Sequence, residues 1–319
     1  MATTLANGIQ AAVGGGATLD IQPAAGAAYS ISEVFSDQAF VSGVPDVQLA
    51  LRDGVHADAI VVLDPTTEVQ KGNRKKEIII DNTTYLRVTN TAAGAAVIGW
   101  IGKQVPAVNV RTSIVTAPNG GTVDLQPPLG ETWRITEIGA EAMNATNEAD
   151  VIITLVTDAV AGAVLATGAR DPVWDSSLGW RINNTLYLTF APIAAADRDV
   201  GVCAERVPEV VFGTAAAIGA GATVAVQPPE GTEAVVTGLA GSVLAGVAPA
   251  GGPDLTWQLT NGVNPSTVCN AGSVADSLIK NRGFELVIDN TIYLQVVDTG
   301  GAGMNYAYTG YVRRIEHTT

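Results

Sequence analysis

Chemically versatile side chains are scarce in this sequence. Its 319 residues include two histidines, His56 and His317, and two cysteines, Cys203 and Cys269. Nucleophilic catalysis needs a base within hydrogen-bond reach of a nucleophile, and these two histidines, one in a turn and one near the end of the chain, are a poor stock for it. The cysteines fall at non-equivalent places, so they form no disulfide framework and read as buried thiols. Aromatic residues make up 5% and charged residues 15% of the chain, with 17 basic against 31 acidic side chains and a net charge of −14. Phosphate neutralisation requires a basic surface, so nucleic acid is excluded as a partner. No uncharged apolar stretch reaches the length of a membrane span, and residues 1–8 lack the positive region and apolar core of a signal peptide. Neither a membrane partner nor secretion is expected.

Glycine and proline are plentiful instead, at 35 and 15 residues, and the hydrophobic fraction of 47% is mainly aliphatic. Short strands joined by tight turns use residues in this way. The stretch Asp81-Asn82-Thr83-Thr84-Tyr85-Leu86 returns as Asn183-Asn184-Thr185-Leu186-Tyr187-Leu188 and as Asp289-Asn290-Thr291-Ile292-Tyr293-Leu294. The spacing, 102 residues from Asn82 to Asn184 and 106 from there to Asn290, suits a whole small domain rather than a solenoid repeat. A second motif recurs in step, with Gln22-Pro23 followed by Gly26, Gln126-Pro127-Pro128 by Gly130, and Gln227-Pro228-Pro229 by Gly231. Each ends an alternating run, as expected where proline stops a strand and glycine makes the turn.

Further period-two runs follow in each copy: Tyr29 to Phe35, Val47 to Arg52, and a closing strand through Gly99, Gly201 or Gly310. The expected fold is all-β. It comprises three tandem antiparallel β-sandwiches, immunoglobulin-like or jelly-roll-like, with about seven strands each, from an internal triplication. The expected division is an N-terminal arm at 1–17 and repeats at 18–106, 107–208 and 209–319. The linkers, both opening with Val-Pro at Val105 and Val207, are short enough to hold the repeats in a fixed arrangement.

No residue set announces a catalytic or cofactor site. Asp53, His56 and Asp58 could hold a metal, but the matching positions around Asp158 and Asn261 lack the ligands, so a solvated turn is the better reading. The recurring residues Asn82, Tyr85, Asn184, Tyr187, Asn290 and Tyr293 admit two readings: a ligand site in each repeat, as in a lectin, or a hairpin turn with tyrosine on the core and asparagine fixing the bend. The second is preferred, because turn and packing residues recur and ligand-specific ones do not. Two stretches are candidate partner contacts. One is the uncharged start of the chain, with Leu5, Ile9 and Val13, read as an arm lying on a neighbouring subunit. The other is the basic run Lys71, Arg74, Lys75 and Lys76, which would meet an acidic neighbour or else form a solvated loop.

The Gln-Pro-Pro-x-Gly turn together with the Asn-Thr-x-Tyr-Leu hairpin, in tandem sandwiches on short linkers, resembles the β-sandwich decoration (cement) and fibre-like proteins of tailed phages and related viruses. The resemblance implies a non-enzymatic virion structural protein, made in the host cytoplasm, that binds the outer capsid surface and clamps neighbouring capsomers. It implies the major capsid protein or another virion protein as partner, and self-association. Three domains in one chain could imitate a trimer over a local threefold position, or several chains could assemble into one. The alternative is a carbohydrate-binding or adhesin-type array, which predicts exposed aromatics at equivalent positions in each copy. Ala234, where Trp133 stands in the second repeat, counts against it.

Overall fold

The computed structural model describes residues 5–36, 47–62, 77–141, 151–157, 160–167, 179–193, 195–243, 255–271, 285–299 and 303–314. Over these residues the chain is built from antiparallel strands. The first repeat holds β1 (Leu5–Val13), β2 (Thr18–Ile21), β3 (Ala28–Ser36), β4 (Val47–Arg52), β5 (Ala59–Val62), β6 (Ile78–Asp81), β7 (Tyr85–Asn90) and β8 (Ala96–Val105). One turn of 3-10 helix at Ala107–Asn109 leads into the second repeat. That repeat holds β9 (Ser113–Ala117), β10 (Val123–Leu125), β11 (Thr132–Ala140), β12 (Val151–Thr157), β13 (Val160–Thr167), β14 (Trp180–Asn183), β15 (Leu186–Pro192) and β16 (Arg198–Val207). The third repeat opens with a divided strand, β17 (Val210–Val211) and β18 (Thr214–Ile218), both paired with the last strand of the chain. It continues through β19 (Thr223–Val226), β20 (Thr232–Val243), β21 (Leu255–Thr260), β22 (Ser266–Ala271), β23 (Leu286–Ile288), β24 (Tyr293–Asp298) and β25 (Met304–Arg314).

The strand order separates the two sandwich types left open by the sequence. In the first repeat β1-β8-β3-β6 form one sheet and β2-β7-β4-β5 the other. The first strand therefore pairs with the eighth and not with the second, which is the double Greek key of a jelly roll rather than the hairpin order of an immunoglobulin sandwich. The same order recurs as β9-β16-β11-β14 with β10-β15-β12-β13, and as β18-β25-β20-β23 with β19-β24-β21-β22. Each copy thus has eight strands or their equivalent, one more than the turn signals indicated. Each also carries a β-bulge at the same place in its third strand, between Ile31 and Glu33, Ile135 and Glu137, and Val236 and Gly238. A bulge there increases the local twist and re-aims the residues beyond it.

The extra strand is the segment expected to be an arm. Leu5–Val13 is not free but pairs antiparallel with β8 of its own repeat, from Leu5 opposite Lys103 to Val13 opposite Ala96. Val13 and Ala6 are buried, and Val13 belongs to the first repeat's core, so Val13 is unavailable to a partner. Leu5 and Ile9 share the strand, where Ile9 stands opposite Gly99. The physical reason is edge satisfaction: β8 would otherwise present a row of unpaired backbone groups. The first repeat accordingly starts near residue 5, and the run ending at Gln22-Pro23 is its second strand.

The two recurring motifs prove to be parts of one device. In the turn before the seventh strand, the side-chain oxygen of Asp81 accepts from the backbone N–H of Thr83 and Thr84, at 2.7 and 2.8 Å, and from the Thr83 hydroxyl at 2.7 Å. Asn183 and Asp289 do the same for Thr185 and Leu186 and for Thr291 and Ile292. The bend is therefore held by the residue before the repeated asparagine, an Asx turn. Asn82, Asn184 and Asn290 contribute their backbone carbonyls, and the Asn184 side chain also donates to the Pro127 carbonyl at 3.3 Å. The three asparagine carbonyls accept from the amides of Gln22 at 2.7 Å, Gln126 at 2.6 Å, and Gln227. Gly26, Gly130 and Gly231, with φ of 79°, 83° and 76°, make the left-handed turn that brings each Gln-Pro corner round. Tyr85, Tyr187 and Tyr293 are only half-buried, while Leu86, Leu188 and Leu294 beside them are fully buried, so leucine rather than tyrosine anchors the hairpin to the core.

Candidate functional site

The most elaborate polar chemistry among the described residues lies where one repeat meets the next. At the first junction, the outer face of the β9-β16-β11-β14 sheet packs on the β4, β5 and β6 side of the first repeat. Cys203 and Ile114 of the second repeat belong to the first repeat's core, and Ala50 of the first belongs to the second's. Contact is close because Gly201 has no side chain: a Cβ there would lie 2.7 Å from Ala59 Cβ and 2.9 Å from Leu51 Cδ1. The sheets also touch through their backbones, with Ala140 of β11 bridging Ile60 of β5.

An ion cluster crosses this junction. Arg134 reaches Glu77 of the first repeat at 2.8 Å and Glu205 of its own at 2.6 Å, and Lys103 stands 3.7 Å from Glu77. Burial pushes the Glu77 pKa up, but the hydrogen bond and charge of Arg134, with Lys103 and Ser30, outweigh it and hold the carboxyl below its ordinary value. Burial likewise works against the charged form of Arg134, yet Glu77 and Glu205 raise its pKa overall. The Thr112 hydroxyl donates to the Ile79 carbonyl at 2.6 Å, and the Asp199 carboxylate accepts from the Ala57 N–H at 2.7 Å.

The second junction repeats the plan with other residues. Ala215, Ala240 and Ala307 of the third repeat complete the second repeat's core. Trp180, fully buried, lies against Gly238, where a Cβ would meet its indole at 3.0 Å. The Thr309 hydroxyl accepts from the Arg181 N–H at 3.1 Å and donates to the Arg181 carbonyl, the position that Ile79 holds in β6. The Arg181 guanidinium sits 4.7 Å from the Tyr311 ring centroid and 3.6 Å from Glu209. Burial draws its pKa below the usual arginine value, although Glu209 opposes the shift.

A surface cleft of about 580 Å³ opens beside the second linker, lined by Leu129, Glu131, Asn184, Arg206 and Val210 among others. Glu131 is its most perturbed group. Arg111 clamps it from Nε and Nη2 at 3.0 and 2.9 Å, and the Trp133 indole N–H donates to it at 2.8 Å. The Arg111 hydrogen bonds, then that of Trp133, bring its pKa down to about 2 against opposing burial. A depressed carboxyl stabilises the fold fully above its unfolded value near 4.5 and loses that contribution as pH falls through about 2. Glu131→Gln should therefore lower stability by no more than about 1 kcal/mol at neutral pH, since solvent screens the pair. In chemical denaturation the deficit should shrink below pH 4.5 and vanish near pH 2; a deficit that persists there would assign Glu131 a different role.

The other sequence candidates are placed as follows. His56 is held in the turn after β4, its Nδ1 2.6 Å from Asp53, whose other oxygen accepts from the Val55 and His56 N–H groups. Asp58 is taken up by Arg52 at 2.8 Å and Arg87 at 3.7 Å. The three do not converge, and among the described residues no group of three or more His, Cys, Asp or Glu side chains could hold a metal. Lys71, Arg74, Lys75, Lys76 and His317 lie outside the described residues. Trp133 is half-buried and bound to Glu131, Tyr29 stacks on Trp100 at 5.7 Å between centroids, and Ala234 is buried, so this position offers no recurring aromatic; the aromatics that do recur among the described residues are the half-buried Tyr85, Tyr187 and Tyr293.

Sequence reasoning missed Glu77, Arg134, Arg181 and Thr309; it read Cys203 as a buried thiol, which it is, but not as part of a junction. Their signal is polarity or small size at outward positions of strands that are nonetheless buried on both faces, as in Thr136 and Glu137 of β11. No protein-family model matches the chain, and no curated protein matches it significantly. Among solved structures, a chain from "Life in the extremes: atomic structure of Sulfolobus Turreted Icosahedral Virus" is similar over 98% of this chain and 90% of that one, at 10% identity and a TM-score of 0.23, too low to carry a conclusion about fold or function.

Proposed function

We propose that this chain is a non-enzymatic virion structural protein of the capsid decoration or cement type, built by internal triplication of one jelly-roll domain. The carrying observation is the eight-strand order that recurs three times on tightly packed junctions. Jelly rolls of this kind are used by viral capsid and lectin domains. Three in succession, joined through linkers that themselves pair with the sheets, offer a body suited to bridging neighbouring capsomers. The partner in this reading is the major capsid protein or another virion protein, bound without nucleic acid. The lectin reading has less support, because the aromatics at the Tyr29 and Trp133 position do not recur in the third repeat and those that do recur, Tyr85, Tyr187 and Tyr293, are half-buried.

The test is mass spectrometry of purified virus particles, with the copy number of this polypeptide measured against the major shell protein. Hundreds of copies per particle are expected. A few copies would move the protein to a fibre, vertex or tail, and absence from particles would reject the virion role.

A further inference from the structure

The two junctions inside the chain are made by one pair of faces, used twice in the same sense. One face is the outer side of the sheet that contains a repeat's third and eighth strands. The other is the edge formed by the fourth to sixth strands of the repeat before it. Cross-strand registers align the copies: Ile31 stands opposite Gly102, Ile135 opposite Ala204 and Val236 opposite Gly310, in each case just before the bulge. It follows that Ile101, Cys203 and Thr309 are equivalent positions, as are Phe35, Gly139 and Ala240. On the other face, Ile79, Arg181 and Val287 are equivalent, opposite Ser30, Arg134 and Val235.

These positions behave differently at the ends of the row. Inside it, Cys203, Thr309, Ala240, Ile79 and Arg181 are all buried. On the first repeat, Phe35 and Ile101 are 39% and 42% exposed, and on the third, Val287 is 46% exposed. Asn7, at the place of Thr112, is exposed as well. Three of the large exposed apolar side chains, Phe35, Ile101 and Val287, thus fall on the two unmatched halves of a contact that the chain makes twice. A charged pair is also available to this contact: Glu285, exposed, occupies the position of Glu77, and Lys103, half-exposed and 3.7 Å from Glu77, stands opposite Ser30, which holds the position of Arg134.

We propose that copies of this chain associate head to tail, the Val287 edge of one third repeat packing on the Phe35–Ile101 face of the next chain's first repeat. The occupant of each end face is a second copy, because the same two faces already fit each other within the chain. Such a contact is heterologous: it closes into a ring where successive rotations return to the start and otherwise extends as a filament. The inference stands independently of the virion reading, since it concerns only the chain's own faces.

The experiment is sedimentation velocity on the full chain over a range of concentrations, with Ile101→Glu blocking one face and Val287→Glu the other. Both positions are exposed, and Ile101→Glu leaves the Phe35 ring over Gly99, so circular dichroism and melting should be unchanged. The native chain should grow in mass with concentration, and each substitution should weaken association by about 30-fold or more. Mixed together, the two blocked chains should form a one-to-one dimer and stop there, because each retains one complementary face. A native chain that stays monomeric up to about 1 mM would overturn the proposal. So would a blocked chain that still associates alone, since that requires a different or two-fold symmetric contact.

Discussion

Replacing Trp180 with alanine should destabilise the protein by about 3–5 kcal/mol and loosen the third repeat from the second. Trp180 is fully buried, belongs to the second repeat's core and also lies against Gly238 of the third. Its removal leaves a cavity at the seam that neither repeat can close alone, because strands on both sides are tied into their sheets. The indole nitrogen has no hydrogen-bond partner among the described residues, a donor whose burial costs about 1–3 kcal/mol. Trp180→Phe should accordingly cost far less than Trp180→Ala, since it removes the unpaired donor while keeping a ring. Calorimetry together with limited proteolysis checks both points. Equal losses for the two variants would show that cavity formation at the seam is not the controlling effect.

The three motif leucines offer the second large effect and a test of how the repeats depend on each other. Leu86, Leu188 and Leu294 are each fully buried, and alanine at any of them should cost about 2–5 kcal/mol. The consequences should spread unequally. The third repeat's core is made of its own residues, but it lends Ala215, Ala240 and Ala307 to the second, the second lends Ile114 and Cys203 to the first, and the first lends Ala50 alone forward to the second. Leu294→Ala should therefore lower the melting of the second repeat as well as the third, while Leu86→Ala should act mainly on the first and reach the second only weakly, through Ala50. Hydrogen exchange resolved by peptide would show this directly. Identical, fully shared losses for all three variants would instead mean one cooperative unit, and fully separate ones would mean junctions of little weight.

The repeats, most strands and the turns were legible in the sequence because each rests on local chemistry: period-two alternation, proline stops and Asx turns. The first strand was not, because Leu5–Val13 mixes glycine, alanine and glutamine without a strong β signal and takes its structure from β8. Equivalence along the last strand was also misjudged. Gly310 looked like the counterpart of Gly99 and Gly201, whereas the register puts Ala307 there. The junction residues were hidden for a different reason. Alternation identifies the face a strand turns to its own core, and Cys203, Arg181 and Thr309 are on the other face, buried only because another repeat arrives. In the turn motif the repeated asparagine acts chiefly through its carbonyl, which any residue supplies, so its recurrence in the sequence does not reveal the bond.

The lending of core residues from each repeat to the one before it also sets a timetable for biosynthesis. The first repeat has all eight of its strands once Val105 has left the ribosome, yet its core still lacks Cys203, about a hundred residues downstream. At 5–20 residues per second that is a wait of roughly 5–20 s, during which the Leu51 and Ala59 side of a nearly finished domain stays uncovered. The nascent chain is thus most exposed to mispairing with its neighbours on a polysome while its second repeat is being made, and translation pauses in that interval should lower the yield of native protein more than pauses elsewhere.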